Sequence, residues 1–301
     1  MLELLTDVLA DSVMDTLKLL PFLLLTYIAM EALEHASGNR VERAIMNSGA
    51  AGPVVGSLLG ALPQCGFSAM AATLFSGRVI TVGTLIAVLL STSDEMIPVL
   101  VAHQEPIGRV LSIVGIKVVC GLVFGLAADA VVRLAGRPGD GHAHIHELCE
   151  REHCACDHDH DHDGHGRSAI FGIVRSALVH TVQVGAFIFL VTFVFGFFIE
   201  AVGEDAIGAF LVGDPVRASV LAALVGLIPN CGASVAITEL FLSDMLATGP
   251  MLAGLLANGG VGLLVLFRTN ANLKENIALT AVVYALAVCV GIIAALAGIM
   301  V

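Results

Sequence analysis

A short motif of proline, an amide, cysteine and glycine occurs twice in apolar chain, as Pro63-Gln-Cys-Gly-Phe-Ser68 and Pro229-Asn-Cys-Gly-Ala-Ser234. The second copy begins 166 residues after the first (229 − 63). Proline removes a helical donor and glycine permits unusual backbone angles, so each motif should break a helix. A helix broken inside a membrane exposes helix ends and carbonyls that hold solutes. We therefore expect substrate-binding residues at these two tips: Gln64, Cys65, Ser68, Asn230, Cys231 and Ser234. Cys65 and Cys231 would be soft metal ligands, and Ser68 and Ser234 would cap the following helices.

A second candidate site is the polar run Ser91-Thr-Ser-Asp94-Glu95, which interrupts an apolar stretch. Carboxylates within a membrane span are costly and usually functional. Asp94 and Glu95 would ligate a divalent cation, carry a coupling proton, or do both in turn, with Ser91, Thr92 and Ser93 beside them. The alternative is that both acids lie in water at a helix end. A shift by the same 166 residues aligns this run with Ala257-Asn258-Gly-Gly-Val261. The asparagine and paired glycines there suggest unwound backbone whose carbonyls act as ligands.

Two further groups of residues have metal-binding chemistry. Glu31 and Glu34 would share a helix face at the end of the first apolar segment. They would form an entry site for metal, or they would simply lie at a solvated helix end. Residues 139–166 contain eight His, three Cys and eight acids, a composition typical of transition-metal binding. The expected ligands there are His142, His144, His146, Cys154, Cys156, His158, His160, His162 and His165. This loop would capture or sense metal, or would be a linker whose metal binding is incidental.

The elements that position these residues are those of a membrane protein. The 301 residues are 57% hydrophobic and 13% charged, with a mean hydropathy of +0.93, far more apolar than a soluble domain. The net charge of −12 argues against a nucleic-acid partner. Seven cysteines, split between apolar segments and the loop, do not suggest a disulfide framework. No phosphate-binding loop, catalytic triad or zinc-protease motif occurs, so we expect neither an enzyme nor an ATP-driven pump, and no bound cofactor apart from metal in the loop.

The chain divides into a first transmembrane repeat (residues 1–135), a cytoplasmic loop (136–167) and a second transmembrane repeat (168–301). Each half contains one Pro-x-Cys-Gly motif between two arms that are too short to span a bilayer. In the first half these arms are Gly49–Leu62 and Phe67–Ser76. If each pair of arms is a re-entrant hairpin, one side of the membrane collects most of the basic residues, as the positive-inside rule expects. Those residues are Arg40, Arg43, Arg78, Arg133, Arg137, Arg151, Arg167, Arg268 and Lys274. We therefore predict an all-α fold of inverted-topology repeats, each with three spanning helices plus one hairpin. Counting every hairpin arm as a span would give ten.

The first tip, together with Ile80–Glu95, resembles a family of bacterial permeases described as manganese transporters, arsenic efflux proteins or ten-span heavy-metal exporters. Leu19–Tyr27, Glu31–His35 and Gly254–Arg268 fit the same family, so the resemblance covers nearly the whole chain. The chain is more distantly similar to organoarsenical permeases, which carry a Pro-x-Cys tip with a denser cysteine cluster. The resemblance implies export, and it supports export better than any particular substrate.

From these features we predict a proton-coupled secondary exporter of a divalent heavy-metal ion, manganese or similar, or of a metalloid. Asp94 and Glu95 would bind or couple, and Gln64, Cys65, Asn230, Cys231 and Asn258 would line the site. We place the chain in the bacterial inner membrane as a homodimer. The alternatives are an exporter of organic anions or organoarsenicals, a channel-like conductance, and a membrane-anchored metal sensor.

Overall fold

The fold is that of a helical membrane protein. The computed structural model describes residues 51–63, 66–93, 95–135 and 214–299, together with individual residues of helices between 6 and 28 and between 174 and 197. Within these residues there is no strand. The first five helices are α1 (Ala51–Gly60), α2 (Gly66–Ser76), α3 (Val82–Ser91), α4 (Met96–Ala102) and α5 (Ile107–Leu134). The next five are α6 (Pro215–Gly226), α7 (Cys231–Leu242), α8 (Thr248–Ala257), α9 (Val261–Thr269) and α10 (Leu273–Leu296).

The two sets of helices have matching bounds when one is shifted by 166 residues. α3 then coincides with α8, and the first residue of α5 with that of α10. The predicted interruptions are confirmed, since α3 and α4 are separated by residues 92–95 and α8 and α9 by residues 258–260. The two proline motifs likewise separate α1 from α2 and α6 from α7.

Local capping explains where several helices begin. Asp214 caps α6 through Val216 N, with Pro215 at the first helical position, where a missing N–H costs nothing. Asn230 caps α7 by accepting a hydrogen bond from Gly232 N at 3.0 Å. Our expectation that Ser234 caps this helix is therefore wrong, because Asn230 sits at the boundary and Ser234 lies inside α7. In the same way Ser68 lies inside α2, two residues after its first residue.

Contacts between helices fix their relative directions. α1 and α3 run parallel, because successive residues of one meet successive residues of the other: Gly52 with Thr84, Gly56 with Val88, and Gly60 with Ser91. α5 runs antiparallel to α3, as the contacts of Gly83 with Asp129 and of Gly121 with Ser91 require. In the second set, α6 runs parallel to α8 and α10 antiparallel to it, through the pairs Ala222–Gly254, Gly226–Ala257, Gly249–Ala295 and Ala253–Gly291.

A pair of glycines lets the long helices cross closely in each set. A Cβ added at Gly83 would lie 2.2 Å from the Gly125 carbonyl oxygen, and one at Gly125 would lie 2.6 Å from that of Gly83. Gly249 and Gly291, at the same positions in the second set, give 2.6 and 2.8 Å. Real Cβ atoms do not approach backbone this closely, so these crossings require glycine.

Among the residues that the structure describes, four helical segments are long and apolar enough to cross a membrane: Val82–Ala102, Ile107–Leu134, Thr248–Thr269 and Leu273–Leu296. The first and third contain the interruptions, and they are the more buried. α5 and α10 leave large apolar side chains exposed, among them Leu111, Val119, Ile277 and Ile293. Exposed apolar faces on span-length helices are what contact with lipid requires. The broken helices thus form the interior of the bundle.

Candidate functional site

The first interruption is a stretch of buried polar backbone. Thr92 N–H still bonds the Val88 carbonyl, but Ser93 N–H leaves the helix and donates to Gly60 O, at the end of α1, at 3.2 Å. The side chains of Ser91, Thr92 and Ser93 are at most 2% exposed. Three buried hydroxyls and an unwound backbone therefore lie beside the C-terminus of α1.

The second interruption has a different local chemistry. Asn258, which is 1% exposed, accepts a hydrogen bond from Gly260 N at 3.0 Å. Gly260 has φ 54° and ψ −144°, a conformation that is essentially restricted to glycine. Gly259 N–H bonds Ala257 O at 2.9 Å, so it does not bond Leu255 O, its normal helical acceptor. The turn therefore leaves the Leu255 carbonyl available to another donor.

Lys117 of α5 joins the two interruptions. Its side chain is 1% exposed, and its Nζ donates to Leu255 O at 2.9 Å and also to Thr92 O. α3 and α8 end beside these carbonyls, and helix C-termini carry partial negative charge. The ammonium therefore lies where two helix ends attract a cation.

The helix that follows the first tip lies close to the second interruption. A Cβ added at Gly262, in the first turn of α9, would lie 2.7 Å from Ser68 Cβ and 2.8 Å from Ser68 O, so α2 and α9 touch near their N-termini. One added at Gly259 would lie 2.9 Å from the Leu89 side chain. Asn230 and Ser234 of the second tip are also buried, at 5% and 1% exposed. Ends of helices from both sets thus meet in the interior.

The predicted carboxylate Glu95 is half-buried at the start of α4. The structure gives its side chain no hydrogen-bond or ion-pair partner among the residues it describes. The other predicted ligands lie outside the described residues: Glu31, Glu34, Gln64, Cys65, Asp94 and the His- and Cys-containing loop. Cys231 is described only as the first residue of α7. Within the described part of the chain, no group of three or more His, Cys, Asp or Glu forms a metal site.

A polar cluster around Arg78 ties α2 to the junction of α9 and α10. The Arg78 guanidinium makes two 2.7 Å hydrogen bonds to the carboxylate of Glu275. Asn270 donates to Glu275 at 3.0 Å and to Asn276 at 2.7 Å, and Ser76 and Thr269 share a 2.7 Å hydrogen bond. Because α3 starts beside the end of α5, this Arg78 cluster lies at the end of the bundle from which residues 136–167 leave.

A smaller cluster around His103 lies at the opposite end. His103 Nε2 and Glu239 Oε1 are 2.9 Å apart and connect α4 to α7. Arg109 bonds Glu105 at 2.9 Å and stands over the Phe241 ring at 5.1 Å. The side chains of His103 and Glu239 are partly exposed, whereas the hydroxyl pair of Ser76 and Thr269 in the Arg78 cluster is buried. Polar links thus join the two helix sets at both ends of the interior.

Sequence reasoning missed Lys117 as a site residue. The available signal was a single lysine within the apolar stretch 107–132, where an ionisable residue is a functional candidate by default. Asp129, an isolated acid in the same apolar stretch, has a structural role. Its carboxylate accepts hydrogen bonds from Gly83 N and Thr81 Oγ1, both at 2.8 Å, and so closes the start of α3.

Span-length apolar helices, two of them interrupted around buried polar groups, define a polytopic membrane protein. The model of a family described as "Putative, 10TM heavy-metal exporter" matches residues 1–179. Since this is more than half of the 301 residues, the chain belongs to that family, as the resemblance in the sequence indicated. No curated protein and no solved structure matches the chain.

Proposed function

We propose that this chain is a secondary active exporter of a divalent heavy-metal ion, manganese or similar, or of a metalloid, driven by a proton gradient. Membership of the family supports heavy-metal export in general. The observation that carries the proposal is the meeting of two interrupted helices at Lys117 in the bundle interior. Solute and ion sites in secondary transporters are built from such discontinuous helices.

The proposed architecture is a pair of inverted repeats, each with a re-entrant hairpin. α1 and α3 run parallel with only α2 between them, so the chain must reverse twice, once near Pro63 and once near Arg78. The same holds for α6, α7 and α8. These reversals favour hairpins over single crossings by each pair of short helices. With three full spans in each half, the second half would then be inverted, and counting the four hairpin arms as spans gives the ten that the family description states.

Glu95 supports the proposed ion chemistry. Glu95 is a half-buried carboxylate whose side chain has no hydrogen-bond or ion-pair partner among the described residues. It lies three residues after Thr92, in the same interruption, and its oxygens are ligands that Mn²⁺ accepts. In the proposal Asp94 and Glu95 bind the metal or exchange it for protons, and Gln64, Cys65, Asn230, Cys231 and Asn258 complete the lining. The two cysteines would extend the range to thiophilic metals and metalloids.

The Arg78 and His103 clusters are the proposed gates. Each joins a hairpin helix of one half to the interrupted segment of the other, at opposite ends of the bundle. Breaking the Arg78 cluster would open the interior toward residues 136–167, and breaking the His103 cluster would open the other side. Alternating access would consist of these two openings, one at a time.

The remaining features of the proposal concern the cellular setting. We place the protein in the bacterial inner membrane as a homodimer that uses no ATP. Residues 136–167 would face the cytoplasm and capture metal through their histidines and cysteines before export.

Accumulation of metals in cells provides the test. Cells expressing the chain should contain less of one metal than cells with an empty vector, when challenged in turn with manganese, zinc, cobalt, nickel, cadmium and arsenite. Deletion of residues 139–166 should reduce this effect without removing it. Equal contents of every metal, with the protein present in the membrane, would rule out the proposed export. Complete loss of the response on deleting the loop would favour a sensor.

A further inference from the structure

The helix scaffold alone does not require a buried lysine at position 117. The residue at the same position in the second set is Val283, which is fully buried in the apolar core. α8 and α9 form an interruption without any lysine in α10 opposite it, so a buried ammonium is not needed to build this type of break. Burying an ammonium in a span costs several kcal/mol unless partners compensate. A residue so costly and so dispensable for the scaffold points to function.

The partners of Lys117 have the chemistry of a cation site. Leu255 O has lost its helical donor, because Gly259 N–H turns to Ala257 O. Thr92 lies in the unwound segment after α3, outside both helices. Carbonyls freed at interrupted helices, together with helix C-termini, are the usual ligands of coupling and transported cations. Lys117 Nζ bonds both carbonyls at once, one from each half of the molecule.

We propose that the Thr92 and Leu255 carbonyls form part of a binding site for an oxygen-liganded divalent cation, and that Lys117 occupies this site as a tethered cation. The inference rests on the proposed export function and adds the class of substrate. A metal ion entering the site must displace the ammonium from the carbonyls, and the returning ammonium expels the ion.

Displacement has a kinetic signature that a purely structural lysine would not give. If Lys117 leaves the carbonyls free for only a fraction of the time, the apparent affinity for metal equals the intrinsic affinity multiplied by that fraction. Replacing Lys117 by methionine, which has similar length and no charge, should therefore tighten metal binding. It should also slow turnover, because nothing then drives the ion out. If Lys117 only supported packing, replacing it would not combine tighter metal binding with slower turnover.

The binding experiment uses the full chain purified in detergent and equilibrium dialysis against Mn²⁺ alone. If Lys117 leaves its carbonyls about one-tenth of the time, Lys117→Met should lower the dissociation constant about tenfold. Lys274→Met, which removes the same charge from an exposed position, should leave the constant unchanged. Metal bound by residues 136–167 is common to all variants and cancels in the comparison. Unchanged or weaker binding by Lys117→Met would overturn the inference.

A second variant covers the case in which Lys117→Met does not fold. Lys117→Arg keeps the charge, and its guanidinium offers more donors to the same two carbonyls. It should bind Mn²⁺ more weakly than the wild type, and equal binding would overturn the inference. Transport into proteoliposomes then separates the two proposals. Wild-type protein that moves no metal would remove the export function, whereas equal KM and kcat in wild type and Lys117→Met would remove only the tethered cation.

Discussion

The helix sets α1–α5 and α6–α10 share bounds and crossing glycines but differ in the residues at the interruption of their third helix. The first set has Ser91-Thr-Ser-Asp94-Glu95 with Lys117 opposite, and the second has Asn258 and two glycines with Val283 opposite. The shared features are those that determine the paths of the helices. The features that differ are ionisable. The two sets therefore share their helix paths, whereas ionisable residues at the interruption occur in the first set alone.

Packing against the tips shows the same division. Gly262 of α9 touches Ser68 directly, whereas the residue at the same position in α4 is Met96, which packs in a cluster with Ile237, Leu240 and Phe241. The backbone of α9 therefore approaches α2 in a way that a methionine prevents between α4 and α7. α2 and α7 are therefore packed differently, so we expect them to move unequally.

The largest effect should come from removing the carboxylates that only the first set possesses. Asp94→Asn combined with Glu95→Gln should abolish metal transport, because the second set has Gly260 and Val261 in their places and cannot compensate. Flux into proteoliposomes measures the loss, and size-exclusion chromatography checks that the variant is folded.

Asp244→Asn is the matched control for this loss of charge. Asp244 is exposed in the second set, and its φ of 57° suits asparagine. It should transport like the wild type. Full flux in the double variant would contradict the assignment of Asp94 and Glu95.

The shared scaffold predicts equal effects in the two sets. Gly125→Ala and Gly291→Ala each place a methyl group against backbone and should each cost about 1–3 kcal/mol of unfolding free energy. Gly115→Ala, on the same helix as Gly125 but with no atom within 4 Å of the new Cβ, should cost nothing. Denaturation of the purified variants in mild detergent measures all three. A large cost in one set only would show that the crossings are not equivalent.

Asp129 offers a smaller test, because this helix cap exists only in the first set. The corresponding residue is Ala295, and the start of α8 has no side-chain cap. Asp129→Ala should lower stability by about 0.5–2 kcal/mol while leaving the KM for metal unchanged. Asp129→Asn, which keeps an acceptor oxygen, should recover part of the loss. A large change in KM would move Asp129 from the scaffold to the site.

The smallest effects concern the two end clusters. A double-mutant cycle on Arg78 and Glu275 should give a coupling free energy of about 1 kcal/mol, because the ion pair is bidentate but partly exposed. His103 and Glu239 share a single hydrogen bond and are more exposed. Their coupling energy should therefore be only a few tenths of a kcal/mol. The reverse order would mean that the end opposite to residues 136–167 is the more firmly closed.

The sequence predicted the interruptions and the two short helices around the first proline motif well, because proline, glycine and runs of polar residues act locally. The expected arms Gly49–Leu62 and Phe67–Ser76 differ from α1 and α2 by no more than two residues. Caps were less predictable, since Asn230 and Ser234 are both good capping residues and only the position of the helix start decides between them. The role of Lys117 could not be predicted, because Leu255 lies 138 residues away and becomes its partner only through packing. Our predictions for the loop, the cysteines, Glu31 and Glu34 remain predictions.

Proton-driven transport by the purified chain alone is the most direct test of the central claim. The chain is reconstituted into liposomes, a proton gradient is imposed, and entry of Mn²⁺ is followed with and without an ionophore that collapses the gradient. We expect saturable entry that needs the gradient and is lost in the Asp94→Asn, Glu95→Gln variant. Entry that does not saturate and does not depend on the gradient would indicate a channel and contradict proton-coupled export.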